Sequence, residues 1–159
     1  MTTNISGYGG GVGAISSGPL ICTMTTDYPV TSNSTFPVIW NNIVSSSPFI
    51  SYNTSTGVFT STYSGIFTFQ TFFSFSNVST VSNVFLVQLL NGVGSGADNL
   101  WGAAVANPTN KQIIFWKTDE YLLAVGDTVA FQINGMSGNT IDGIPTATRV
   151  HAMLISGGT

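Results

Sequence analysis

The sequence predicts an all-β fold, an antiparallel β-sandwich. Segments rich in Val, Ile, Phe, Thr and Tyr recur from Leu20 onward, separated by clusters of Gly, Asn, Pro and Ser at intervals of roughly 8 to 14 residues, the spacing of short strands joined by turns. Residues 66–75 alternate strictly, with Phe67, Phe69, Phe73 and Phe75 on one face and Thr68, Gln70, Phe72 and Ser74 on the other, as a strand's period of two requires. Only residues 118–125 (TDEYLLAV) carry helix signals, with Thr118 as a cap ahead of Asp119 and Glu120, and that stretch is short for a helix. A jelly roll, an immunoglobulin-like sandwich and a barrel all meet this pattern.

Taken in chain order, residues 1–20 form a Gly-rich arm (Gly7, Gly9, Gly10, Gly11, Gly13, Gly18) without apolar periodicity, and residues 21–159 are expected to be one domain. Both faces of residues 66–75 are partly apolar. Residues 84–90 are nearly continuously apolar, broken by Gln88, and end at Asn91-Gly92, the dipeptide suited to a tight hairpin because both residues tolerate positive φ. Residues 113–125 read as one long strand, or as a strand turning at Asp119. Val129, Phe131 and Ile133 alternate with Thr128, Ala130 and Gln132, and Val150, Ala152 and Leu154 alternate with His151, Met153 and Ile155, giving two further strands.

Composition excludes several classes of function. Only 6% of residues are charged, against about 25% in an ordinary soluble domain. No charge occurs between Asp27 and Asp98, yet polar residues interrupt that stretch before any apolar run reaches the ~18 residues of a membrane helix. Membrane insertion is therefore not expected. The first basic residue is Lys111, so the opening lacks the positive region of a secretion signal and synthesis in a cytoplasm is expected. Three basic residues on a chain of net charge −3 cannot neutralise several phosphates, so nucleic acid is not an expected partner. Apolar residues make up 43% of the chain, enough for a core, which argues against disorder. Cys22 is the sole cysteine, so an intrachain disulfide and a paired-cysteine metal site are excluded.

Tyr52-Asn53-Thr54-Ser55-Thr56-Gly57-Val58-Phe59-Thr60, followed by Gly65-Ile66-Phe67-Thr68-Phe69, resembles the central signature of the C1q/TNF-like jelly-roll superfamily. There an aromatic precedes a TG-x-F turn and then G-x-[YF]-x-F, so that Tyr52, Thr56, Gly57, Phe59, Gly65, Phe67 and Phe69 occupy the family's places. Leu123-Ala124-Val125-Gly126-Asp127-Thr128-Val129 resembles its L-x-x-GD-x-V turn, bringing in Gly126, Asp127 and Val129, and residues 150–155 sit where its last core strand belongs. Trp40-Asn41-Asn42-Ile43 resembles the earlier F-N-x-V element, with about one residue inserted before Tyr52. The aromatic expected at position 71 stands at Phe72. Gly57 and Gly65 are expected to permit tight turns, and Phe59, Phe67 and Phe69 to fill the sandwich.

The resemblance implies a homotrimer packed around a three-fold axis through aromatic-rich faces. Some relatives hold calcium through loop carboxylates, for which Asp98 and Asp142 are the candidates, but no Asp-rich spacing accompanies them and solvated turn residues are the preferred reading. Neither a metal nor another cofactor is expected. His151, the only histidine, has no acid or nucleophile placed beside it by sequence, so an enzyme is not expected. Cys22 is expected to be a small buried hydrophobe, and the sequons at Asn4, Asn33, Asn53 and Asn77 are no more than chance supplies. The leading expectation is a non-enzymatic trimeric jelly roll on a virus particle, as a minor capsid, vertex or fibre-head component in contact with neighbouring shell proteins. The alternative is a soluble recognition head binding protein or glycan on a spore or cell surface, anchored by Trp40, Trp101 or Trp116 if they lie exposed in loops. Replacing Phe69 by Asp would bury an unpaired charge at a cost of several kcal/mol, so Phe69→Asp is expected to yield no soluble, assembled protein on expression and gel filtration. A normally assembled variant would refute this strand placement.

Overall fold

A computed structural model describes residues 18–29, 35–76, 84–101, 113–134 and 140–157. Every regular element among them is a strand. In chain order these are β1 (Leu20–Thr23), β2 (Tyr28–Pro29), β3 (Phe36–Pro37), β4 (Asn42–Ser45), β5 (Ile50–Asn53), β6 (Val58–Ser61) and β7 (Gly65–Ser76). They continue with β8 (Val84–Leu90), β9 (Val93–Trp101), β10 (Ile113–Leu123), β11 (Thr128–Asn134), β12 (Thr140–Ile141) and β13 (Arg149–Gly157). Residues 113–123 thus form one strand, and the helix alternative falls. Residues 1–17 of the arm lie outside the described residues.

All pairings are antiparallel and build two sheets. β7, 12 residues long, organises the first. Along one edge it pairs with β10 over its whole length, from Gly65↔Leu123 to Phe75↔Ile113. Along the other edge β13 pairs with Gly65 to Phe72, β12 takes Phe75 and Ser76, and the sheet continues through β1 to β4. The second sheet runs β5-β6-β11-β8-β9, with β3 on the far end of β11. The β8–β9 hairpin turns at Asn91 (φ 51°) and Gly92 (φ 77°), the paired positive φ values that a two-residue hairpin twisted like its strands requires.

The sheets stack through an aromatic core. Phe59, Phe67, Phe69, Phe73, Phe75 and Phe131 are buried, and each is worth about 1.5–3 kcal/mol relative to an exposed position. At the centre stands Trp40, on the segment linking β3 to β4. Its ring meets Phe73 at 5.8 Å, Phe131 at 5.9 Å, Phe59 at 6.1 Å and Tyr52 at 6.4 Å. Trp40, expected as a possible exposed platform, is instead wholly buried. The linking segment is fastened to the second sheet by the Val38 N–H, which donates to the Phe131 carbonyl at 2.8 Å.

The two glycines of the central signature do different work. Gly57 turns the β5–β6 hairpin at φ 74°, and a Cβ there would stand 2.5 Å from the Val38 carbonyl oxygen, so the linking segment can cross the hairpin only above a glycine. Gly65 makes no turn. It opens β7, where a Cβ would stand 2.3 Å from the Ser156 carbonyl oxygen, so its smallness admits the close approach of β13. Gly57→Ala combines left-handed strain with a backbone clash and is expected to cost about 2 kcal/mol or more, read as a lower urea midpoint at unchanged slope. An unchanged midpoint would refute the contact with Val38.

Candidate functional site

The described residues contain no cluster of three or more His, Cys, Asp or Glu side chains able to hold a metal ion. Asp142, expected as a solvated turn residue, is buried: its carboxylate accepts the Ser74 hydroxyl at 2.6 Å and its N–H donates to the Ser74 carbonyl at 2.9 Å. It is thus spent in tying the 142–148 connection to β7, aided by the Ser74 N–H, which donates to Thr148 Oγ1 at 3.2 Å. Asp98 lies on β9 opposite Leu86, in a strand and not in a loop. Cys22 is buried, and burial pushes its thiol up to about 12, so it is neither a nucleophile nor a ligand at neutral pH. Asn53 Oδ1 accepts the N–H groups of Ser55 (2.9 Å) and Thr56 (3.2 Å), which fixes the turn leading to Gly57. Asn4, Asn33 and Asn77 lie outside the described residues.

The signature residues serve the sandwich. Tyr52 is buried with its hydroxyl accepting the Trp40 N–H at 2.8 Å, and burial drives that hydroxyl far above the usual tyrosine range. Thr56 is exposed in the turn, and Phe59, Phe67, Phe69 and Val129 are buried. Gly126 (φ 91°) shapes the β10–β11 turn. Asp127 locks it: its carboxylate accepts the Ala124 N–H at 2.8 Å and the Asn91 side-chain amide at 2.9 Å. Asn91 Oδ1 in turn accepts the Thr128 N–H at 2.8 Å, so the β8–β9 and β10–β11 turns are bound to each other.

The two sheets differ in how exposed the apolar side chains of their outer faces are. On the second, β5, β6 and β11 turn Ser51, Asn53, Thr60, Thr128, Gln132 and Asn134 outward beside Val58 and Ala130, as the burial of the intervening residues requires, and β8 adds the half-buried Phe85, Val87 and Leu89 next to β11. On the first, the outward face of β7 carries Ile66 and Phe72. Its register sets Leu122 beside Ile66 and Trp116 beside Phe72, and Met153 beside Thr68. Ile155 is added at the register shift of β13. Leu122 is 77% and Trp116 66% exposed, and Ile66, Met153 and Ile155 are also exposed. Exposed apolar side chains gathered on one sheet face make it the candidate contact surface. Trp116 therefore lies in a strand and not in a loop, and the Trp101 side chain is outside the described residues.

Few charges interrupt this face. The Arg149 guanidinium lies 4.3 Å over the Phe72 ring and donates to the Thr146 carbonyl, and the His151 ring meets Phe72 from the same strand at 5.6 Å. Burial, and then the Arg149 charge, lower His151 below the usual histidine range, so it is neutral at neutral pH. Glu120 stands on the same face of β10. Lys117 and Asp119 point the other way, into the sandwich, where they pair at 2.6 Å. Inward charges on an outer strand discourage pairing along its edge. The face was legible only in part from sequence: the two-sided apolarity of residues 66–75 pointed to it, but the contribution of β10 depends on a register no local pattern states.

No protein-family model matches the chain, and no curated protein matches it. Solved structures do. Murine APRIL at pH 8.0 superposes with a TM-score of 0.61 at 12% identity, covering 87% of this chain and 98% of that one. Eiger TNF from S. frugiperda superposes at 0.64 and 12% identity, covering 89% and 94%. The fold is thus the C1q/TNF-like jelly roll. The Asp127 carboxyl is held below its usual value by the Ala124 N–H and then by Asn91, so its contribution to stability is complete above the ordinary value of 3.8 and is lost as pH falls below it. The gap in urea midpoint between the protein and Asp127→Ala is expected to be constant near neutrality and to narrow in acid. A gap that widens in acid would refute the lock.

Proposed function

We propose that this chain is a non-enzymatic head that closes into a homotrimer through the open face of its first sheet and serves as a surface component of a virus particle, in minor capsid, vertex or fibre-head position. The observation that carries the trimer is the apolar face of β7, β10 and β13, which a solitary sandwich leaves in water. Three-fold closure is the arrangement that the resemblance of the Tyr52–Phe69 signature implies, and a cyclic contact buries the face without leaving an open, filament-forming surface. Placement on a particle is favoured by composition: with 6% charged residues, copies and their shell neighbours meet with little like-charge repulsion. The scarcity of basic residues assigns it to an outer or accessory position, away from nucleic acid.

A second setting, a recognition head on a spore or cell surface, is favoured by Trp116, which would anchor a protein or glycan partner if the three-fold contact leaves it uncovered. Purified protein is expected to sediment as a trimer, and Leu122→Asp as a folded monomer with the same far-ultraviolet circular dichroism, its dissociation constant raised about a hundredfold or more by two to three kcal/mol of lost burial and unpaired charge per contact. A monomeric parent, or a Leu122→Asp trimer as tight as the parent, would overturn the assembly. Recovery solely as free trimer, absent from purified particles, would overturn the virion setting.

A further inference from the structure

The sole histidine sits in the middle of the open face, and its surroundings suit the neutral imidazole. On β7 its register neighbour is Gln70 and its ring contact is Phe72. On β1 its register neighbour is Ile21, and Thr23 lies beside Arg149. None of these carries a charge. On its own strand Arg149 already places a cation over the same Phe72 ring. β10, beyond β7, contributes Glu120 to this face opposite Thr68, whereas its Lys117 and Asp119 are paired on the other side of the sheet. A protonated His151 would therefore be a second cation beside Arg149, with no carboxylate on either adjacent strand. Once the face is covered by other copies, its charge would also lose water.

We infer that His151 makes self-association through the open face acid-sensitive, protonation of the imidazole loosening the trimer. The inference rests on the assembly proposed above. The direction follows from the surroundings: with Arg149 already over the same Phe72 ring and no carboxylate on the adjacent strands, the protonated imidazole is the form that covering the face disfavours, so association is strongest above the ordinary histidine range and weakens as pH falls through about 6.5 and below. A three-fold assembly carries three equivalent imidazoles, one from each copy, so protonation adds charge three times over.

The test is sedimentation equilibrium of the full chain at about pH 8 and about pH 5.5, on the parent and on His151→Gln, with the carbon-bound ring protons of the single imidazole followed by NMR across the same range. The parent's dissociation constant is expected to rise about tenfold or more toward the acid end, with the midpoint of the step tracking the imidazole titration, while His151→Gln stays level. A level parent, or the same step in His151→Gln, would overturn the switch while leaving the trimer intact. A monomer at about pH 8 would overturn the assembly and the switch together. Should His151→Gln fail to fold, the parent titration decides: an imidazole that protonates with no change in association overturns the inference, and coincident midpoints support it.

Discussion

β7 carries apolar side chains on both faces, phenylalanines inward and Ile66 and Phe72 outward among Thr68, Gln70 and Ser74. Its odd-numbered residues from Phe67 to Phe75 pack inward against Trp40, Phe59 and Phe131, and that commitment fixes the register of everything beside it. β10 runs along one edge from end to end and β13 along the other, so their side chains must follow the two-residue period of β7. Tyr121, Leu123, Val150 and Ala152 turn inward with the phenylalanines. Trp116, Leu122 and Met153 turn outward with Ile66 and Phe72. The same alternation that fills the core thus leaves an apolar face in water, and moving it inside would expose the core.

The rest of the architecture keeps this arrangement single-valued. Trp40 fills the space between the sheets, and the turn at Gly57 gives its segment a close passage over the β5–β6 hairpin. At one end of the sandwich, Asp127 and Asn91 bind two turns into a unit. Asp142 and Ser74 pin the connection into β13 to β7. Lys117 and Asp119, turned inward on β10, guard the strand's edge. These polar contacts each contribute modestly, but together they exclude the slipped registers that a chain of alternating Phe, Thr and Ser would otherwise tolerate.

Much of this was legible in the sequence. The strict alternation of residues 66–75 and 128–133, the Asn91-Gly92 hairpin and the signature from Tyr52 to Phe69 state local conformation directly, because period, turn chemistry and glycine geometry are properties of neighbouring residues. What could not be read depends on residues far apart in the chain. Trp40 stands between Val38-Ile39 and Asn41-Asn42 in a segment without strand pattern, so its burial follows only from the sheets closing over it. Asp142 has the sequence context of a turn and is buried by Ser74, contributed by a distant strand. Gly65 resembles a turn glycine, yet its constraint is the carbonyl of Ser156 nearly the whole domain away. The apolar face itself became definite only when the β7–β10 register set Trp116 beside Phe72.

Copies of the same chain are proposed to cover the outward face of β7. A cryo-EM or crystal structure of the purified protein at neutral pH tests it most directly. It should show three copies around one axis with Ile66, Leu122, Met153 and Ile155 removed from solvent and the outward residues of β5 and β6 left in solvent. A solitary sandwich, or an assembly joined through Ser51, Thr60 and Gln132 of the second sheet, would contradict it.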